Sequence, residues 1–296
     1  MDRRNIVFAT FAVNPLRVVN PVVGLVGMPL NYPGFFKFKE KTLKNRVLSA
    51  AVMSLLSSVA LADTYQAEAG LFYNNTDADT MASDYDTYGI NASIFLKPVD
   101  DSKGPRLEAA FLDRASGISV QYSDPDDIPV DETYAVQGRY VLGNGTILEA
   151  GYADFDIDES FHIGLGTYLS DTSAVMLRYS ETDDSDVQRL EASYKAVAKL
   201  AGTSAVAYSV SAGLVDVPHQ DTGYSFGGEA TYYFNQNFGI GATVSFQDLD
   251  SGDIESYGLQ ASYFFTPNFY VQGFAKTTDF DGPDEEQFGL SASIRF

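Results

Sequence analysis

The sequence contains no cysteine, no tryptophan and only two histidines. Without cysteine, the chain can form neither disulfide bonds nor thiolate metal sites. Long hydrophobic runs are also missing: no stretch of 18 or more consecutive residues is apolar. A helix needs about that many apolar residues to cross a bilayer, so no transmembrane helix is predicted.

Positive charge is scarce as well, because 19 lysines and arginines face 40 aspartates and glutamates. The net charge is −21, and removal of residues 1–62 would leave 11 basic and 38 acidic residues, a net charge of −27. Such an acidic chain is not expected to bind nucleic acid. Strong acidity can indicate disorder, but the aromatic content of 14% and the sustained apolar alternation described below favour a folded chain.

The amino-terminal part has the pattern of a secretory signal peptide. Basic residues cluster between positions 37 and 46, residues 47–59 are largely apolar, and Ala60-Leu61-Ala62 fits the small-x-small cleavage rule. We predict a signal peptide at residues 37–62 and a mature chain over residues 63–296, with a short buried helix as the alternative. Residues 1–36 contain four prolines that interrupt their apolar part, and we predict an upstream extension that contributes nothing to the fold.

The last ten residues, 287–296, alternate strictly between apolar and small or polar side chains and end on Phe296. This alternation predicts a strand with one face in an apolar medium and one in a polar medium. About ten tilted residues are enough to cross a bilayer, so the stretch is typical of a transmembrane barrel strand. The alternative is the edge strand of a soluble sandwich. The segment resembles the terminal strand of outer-membrane β-barrels, whose final Phe is read by the barrel assembly machinery.

Similar segments recur along the mature chain and predict about fourteen strands, with twelve or sixteen as alternatives. In the first of them Tyr65 lies on the apolar face. Tight turns alternate with longer, aspartate-rich connections, as in bacterial barrels. We therefore predict an all-β, transmembrane, antiparallel up-and-down β-barrel. The predicted strands are 65–73, 88–97, 106–114, 133–142, 147–154, 161–168, 174–180, 188–197, 205–215, 224–234, 238–247, 256–265, 269–276 and 287–296.

The charged residues divide between the predicted inward face and the longer connections. The outer connections carry many carboxylates and no lysine or arginine, which predicts an acidic mouth and a weak preference for cations at low salt, while Lys103 and Lys199 lie in periplasmic connections. The inward face also carries many glycines and serines, which leave room for water. The candidate pore-lining residues are Glu68, Lys97, Arg106, Glu108, Arg139, Glu149, Arg178, Arg189, Glu191, Lys195, Glu229, Lys276 and Arg295.

Neither metal nor cofactor chemistry is predicted. Asp154, Asp156 and Asp158 have the spacing that begins a calcium loop, but Glu159 and Leu165 stand where that loop needs glycine and glutamate. The acidic connections remain candidates for loose bridging of divalent cations to lipopolysaccharide phosphates. His162 and His219 lie in no recognisable catalytic motif, so the chain is not predicted to be an enzyme.

Residues 104–115, GPRLEAAFLDRA, resemble the "putative general porin" family of Gram-negative bacteria. The segment Tyr88-Gly89-Ile90 and the terminal Arg295-Phe296 fit the same family. The resemblance implies an outer-membrane channel for passive diffusion of small hydrophilic solutes, often as a homo-oligomer, with membrane lipid and lipopolysaccharide around it. It supplies no catalytic residues. The alternatives are a closed structural or adhesin-like barrel that displays acidic loops, and an outer-membrane barrel enzyme.

Overall fold

The computed structural model of the protein describes residues 8–10, 22–24, 64–78, 84–126, 132–155, 158–183, 185–280 and 284–296. The predicted signal peptide, its cleavage site at Ala62–Asp63, and Asp156 lie outside the described residues. Two short strands near the amino terminus, β1 (Phe8–Thr10) and β2 (Val22–Gly24), pair with each other in a separate antiparallel sheet.

Fourteen further strands of the described residues form one closed antiparallel barrel. Each strand pairs with its neighbour in the chain, and β16 pairs with β3 to close the ring. The fold class and the number of barrel strands predicted from the sequence are confirmed. The strands are β3 (Thr64–Ala78), β4 (Tyr85–Asp100), β5 (Gly117–Pro125), β6 (Thr133–Val141), β7 (Thr146–Asp154), β8 (Glu159–Ser170), β9 (Ser173–Thr182), β10 (Gln188–Lys199), β11 (Ala205–Asp216), β12 (Gly223–Tyr233), β13 (Phe238–Asp248), β14 (Ile254–Thr266), β15 (Phe269–Asp279) and β16 (Asp284–Arg295).

The two faces of the barrel follow the alternation of the sequence. Outward positions are large, apolar and exposed, as at Ile94 and Leu259, which suits contact with lipid. Inward positions are small or polar, as at Thr231 and Ser256, and are buried inside the ring. Among the described residues, no helix is long and apolar enough to span a membrane.

The turns at one end of the barrel are flanked by outward aromatic rings. Consecutive ring contacts, with centroids 4.8 to 6.2 Å apart, link β12 to β15 at this end. Such a girdle marks a membrane interface. The rings are Tyr232, Phe234, Phe238, Tyr263, Phe265 and Phe269. Because the ring has an even number of strands, Thr64 and Phe296 lie at this same end, which we assign to the periplasm.

The predicted third strand, residues 106–114, is wrong. This stretch forms a 3-10 turn, Arg106–Glu108, and a one-turn helix, α1 (Ala109–Leu112), after a first 3-10 turn at Asp101–Lys103. Its apolar residues do not alternate, and alanine, leucine and glutamate favour helix. The third barrel strand is β5, where outward Val120 and inward Gln121 do alternate.

Residues 101–116, which join β4 to β5, fold into the barrel at its periplasmic end, and we call them the luminal segment. Leu107 and Phe111 are buried against inward side chains of the wall. The wall residues of this apolar core are Ile147, Tyr168, Ala174, Met176, Val197, Ala205, Ala207, Tyr233, Phe264 and Tyr270. The barrel is therefore filled by side chains at its periplasmic end and lined by polar groups above it.

Candidate channel lumen

A cavity of about 370 Å³ lies inside the barrel, above the luminal segment. Side chains from most of the barrel strands and from Leu107, Ala110 and Phe111 line it. Six cationic side chains reach its surface, but only three carboxylates do. The cations are Arg139, Arg178, Arg189, Lys195, Lys276 and Arg295, and the carboxylates are Glu68, Glu191 and Glu229.

One side of the lumen carries alternating charges across neighbouring strands. Arg178 Nη2 donates a hydrogen bond of 2.9 Å to Glu149 Oε2, and its Nη1 lies 3.8 Å from Glu191 Oε1. Arg139 Nη1 lies 3.6 Å from the other oxygen of Glu149. Glu149 thus lies between two guanidinium groups, whose attraction offsets the free-energy cost of burying its charge in the wall.

This arrangement depends on a glycine in the strand between Glu149 and Arg178. Gly164 of β8 pairs with Glu149 on one side and with Arg178 on the other. A Cβ atom at position 164 would lie 3.3 Å from Glu149 Cβ and 3.4 Å from Met176 Sδ. The missing side chain leaves the space through which Arg178 reaches across β8 to the carboxylate.

The opposite side of the lumen, from β11 to β14, carries small polar groups. Its surface includes Ser209, Ser211, Gly227, Thr243 and Ser245. Gln260 Nε2 donates a hydrogen bond of 2.7 Å to Glu229 Oε1 on the same side. Hydroxyl groups and backbone therefore face a side of arginines and glutamates, and the lumen is polar on both sides.

Near the outer end, Arg189 of β10 extends across β11 and β12. Its Nη2 donates a hydrogen bond of 2.9 Å to Gln247 Oε1 on β13. Lys276 lines the same half of the cavity, on β15. Beyond this level Val187, Val215, Val217 and Leu249 form a buried apolar cluster at the mouth.

At the periplasmic end, polar contacts fix the luminal segment to the wall. Glu108 lies 2.8 Å from Lys195 Nζ and accepts a hydrogen bond of 2.8 Å from the Tyr233 hydroxyl. Arg295 Nη1 donates to the carbonyl of Arg106 at 3.0 Å, and the Tyr168 hydroxyl donates to the carbonyl of Phe111 at 2.8 Å. Four strands of the barrel thus hold this short stretch of chain.

The structure places most of the predicted pore-lining residues on the inner wall. Nine of the thirteen line the cavity, and Glu149 lies in the wall behind Arg139 and Arg178. Arg106 and Glu108 belong to the luminal segment rather than to a wall strand, because residues 106–114 are helical. Lys97 is exposed, next to a register shift between β3 and β4, and is not among the cavity-lining residues.

Several residues of the lumen were not identified from the sequence. The sequence pattern places Leu107 and Phe111 on a wall strand, and the predicted pore-lining set, which contains only charged residues, does not include Gln247. The inward phase of β13 already includes Gln247, so the alternation could have identified it. No sequence signal indicates that Leu107 and Phe111 lie inside the barrel.

Carboxylates crowd the outer rim, in agreement with the predicted acidic mouth. Asp77, Asp124, Asp216, Asp248 and Asp279 lie in the strand segments nearest that end. Within the described ranges, no group of three or more histidines, cysteines, aspartates or glutamates could hold a metal ion. His162 lies in the wall with Nε2 buried and without a hydrogen-bond partner in the described part of the chain.

One protein-family model matches the sequence. Residues 41–213, more than half of the chain, match the family described as "Putative general bacterial porin". No curated relative matches the sequence.

Solved structures of outer-membrane proteins share the fold. Omp33 of Acinetobacter baumannii is 26% identical with a TM-score of 0.60, over 79% of this chain and 99% of that chain. A bacterial polysaccharide outer membrane secretin is 11% identical with a TM-score of 0.48, over 78% and 99%. OpdQ of Pseudomonas aeruginosa is 11% identical with a TM-score of 0.44, over 79% and 98%. The last two are too distant to support an argument. From its family match and its barrel, the chain belongs to the general bacterial porin family and is a protein of the outer membrane.

Proposed function

We propose that the protein forms a water-filled channel through which ions and small hydrophilic solutes diffuse passively. The observation that carries the proposal is the polar cavity inside a closed fourteen-stranded ring. Charged groups on one side and hydroxyl groups on the other replace part of the hydration shell of a polar solute. Diffusion through such a lumen needs neither a catalytic group nor a cofactor.

The luminal segment makes the periplasmic end the narrowest part of this channel. Leu107 and Phe111 fill the ring together with wall side chains at that level. In the proposed channel, solutes pass this level only beside that core, and displacement of the segment widens the path. A narrow passage of this kind favours ions and the smallest solutes.

The same apolar core favours a second candidate, a closed barrel that displays acidic loops to partners at the cell surface. A ring filled by side chains at one level conducts poorly. The two candidates differ in a single property, the passage of water-soluble molecules. A barrel enzyme receives no comparable support from His162, the histidine in the wall.

The proposal extends to partners that surround a channel of this kind. Lipid contacts the outward apolar face, and lipopolysaccharide contacts the acidic rim, with divalent cations between the two negative surfaces. The barrel assembly machinery reads the carboxyl-terminal Phe296. A homo-oligomer would bury part of the lipid-facing surface, and cross-linking in the membrane tests for one.

Swelling of proteoliposomes in neutral sugars tests the proposal directly. The purified protein is reconstituted, and swelling is followed in isosmotic glycerol, glucose and a trisaccharide. A channel gives rates that fall steeply with solute size and exceed those of empty liposomes. Rates equal to those of empty liposomes for all three solutes support the closed barrel instead.

A further inference from the structure

Arg189 and Gln247 form an unusual pair in the outer half of the lumen. The hydrogen bond of 2.9 Å between them joins β10 to β13 across two intervening strands. In register with Gln247, the inward residues of those two strands are Ser225 and Gly213, whereas Arg189 itself pairs with Val215. A Cβ atom at position 213 would lie 2.8 Å from Ser225 Oγ and 2.9 Å from the carbonyl oxygen of Leu190. A glycine and a serine thus leave space on the wall beside Gln247.

The pair leaves hydrogen-bond donors unused. A guanidinium group has only donors, so the amide oxygen of Gln247 must face Arg189 and its Nε2 must point elsewhere. Gln247 is 5% exposed, and its Nε2 has no acceptor in the described part of the chain. Arg189 Nε has none there either. Both side chains line the cavity, and these two buried nitrogen atoms are unpaired within the described residues.

Arg189 also differs from three neighbouring cationic side chains in having no salt bridge in the described part of the chain. Arg178, Lys195 and Arg295 each have a carboxylate within 3.0 Å. In the described ranges the hydrogen-bond partner of Arg189 is the neutral amide of Gln247. The outer half of the cavity therefore contains a buried positive charge with no salt bridge in the described part of the chain, and Glu191 of the same strand interacts with it only at longer range.

We propose that Arg189 and Gln247 bind the carboxylate group of small hydroxylated organic acids on their way through the lumen. A carboxylate has one negative charge and two coplanar acceptor oxygens, which suit a guanidinium and an amide N–H. Serine and threonine hydroxyls on the β11–β14 side can bind the hydroxyl groups of the solute. This inference rests on the proposed function, because the site lies inside the channel.

Three six-carbon solutes of opposite or no charge test the inference in proteoliposomes. Swelling is measured in gluconate, glucose and glucosamine at moderate ionic strength, where salt screens the acidic mouth beyond about 8 Å. We expect gluconate to enter faster than glucosamine and to saturate with concentration, and glucose to enter without saturation. Entry of glucose with equal rates for the two charged solutes overturns the carboxylate site but leaves the channel intact. Exclusion of all three solutes overturns the carboxylate site, and ion conductance together with the swelling rate in glycerol then decides the channel.

Two variants separate a binding site from a general effect of charge. Arg189→Gln removes the cation, whereas Gln247→Leu removes the amide and keeps the cation. Loss of one hydrogen bond to a charged group should raise the half-saturating gluconate concentration about tenfold in either variant. Lys199→Gln removes one charge from the same strand at its exposed periplasmic end and should leave that concentration within about twofold.

A heat-dependent gel shift confirms that each variant still forms a barrel. If the half-saturating gluconate concentration is unchanged in folded Gln247→Leu but rises in Arg189→Gln, the effect comes from long-range charge alone, and the binding site is overturned. If only one variant folds, its half-saturation alone decides, because the proposal requires both side chains.

Discussion

Glu108 of the luminal segment and Lys195 of strand β10 are joined by a salt bridge of 2.8 Å inside the barrel. Both side chains are largely buried, and Tyr233 donates a second hydrogen bond to the same carboxylate. The bridge connects the one helical stretch of the barrel domain, within its described residues, to the wall that surrounds it. The width of the lumen at its periplasmic end therefore depends on a small number of polar contacts and on the apolar core beside them.

Glu108→Ala is expected to release the luminal segment and to raise single-channel conductance. Removal of one partner of a buried ion pair costs about 3–5 kcal/mol of stability. The measurement is conductance in planar bilayers together with limited proteolysis of the segment. Lys103→Gln is the matched control, because its salt bridge to Asp113 lies in the same segment with Lys103 45% exposed. Equal conductance of Glu108→Ala and wild type would show that the salt bridge does not determine the width of the lumen.

Phe111→Ala tests the apolar contacts that hold the luminal segment against the wall. Truncation of a buried phenylalanine costs about 3–5 kcal/mol, and here the loss falls on packing between the luminal segment and the wall. We expect larger conductance with little change in the temperature of the heat-dependent gel shift, because the hydrogen bonds of the ring remain. A collapse of the gel shift at low temperature would show instead that the barrel needs this core to fold.

Gly164→Val is expected to disturb the charged side of the lumen. The new side chain meets Glu149 and Met176, and it occupies the space through which Arg178 reaches Glu149. Conductance should fall and its selectivity should change. Gly143→Ala is the control, since a Cβ atom at that turn position has nothing within 4 Å. Identical conductance and selectivity in Gly164→Val and wild type would contradict the role of this glycine.

Arg295→Gln is expected to weaken the closing seam of the barrel. Arg295 Nε donates to Glu68 Oε2 of β3 at 2.7 Å, and its guanidinium lies 4.3 Å from the Tyr65 ring centre. Its removal leaves the Glu68 carboxylate unbalanced, at a cost of about 3–5 kcal/mol. The gel shift should occur at a lower temperature. Arg114→Gln, whose partner Asp171 is fully exposed, should leave that temperature unchanged.

The ring of strands was predictable because each strand carries its own signal. Alternation such as that of residues 287–296 depends only on lipid on one side and a polar lumen on the other. The luminal segment carries a different pattern, since its apolar residues pack against wall side chains from strands distant in the chain. Its content of alanine, leucine and glutamate indicates helix, which the predicted strand at residues 106–114 does not take into account. The alternation that marks the third strand is the shorter one at Ile118, Val120 and Tyr122.

Local irregularity explains the other differences. Tyr65 was predicted to face lipid, but a register shift between Tyr65 and Ala67 turns it into the lumen, where it is buried. The charged residues of the wall were predictable from their phase, whereas their partners were not. Nothing in the sequence around Arg189 indicates that its partner is Gln247, because the contact depends on low inward side chains in two intervening strands.

Single-channel recording of the wild-type protein in a planar bilayer tests the central claim most directly. The recording uses purified, folded protein in potassium chloride at several concentrations. A water-filled lumen predicts discrete, reproducible current steps whose size rises with salt concentration, and larger steps for Glu108→Ala. Complete absence of steps from correctly folded protein, under conditions in which Glu108→Ala also remains silent, would contradict the channel and leave the closed barrel as the account of this fold.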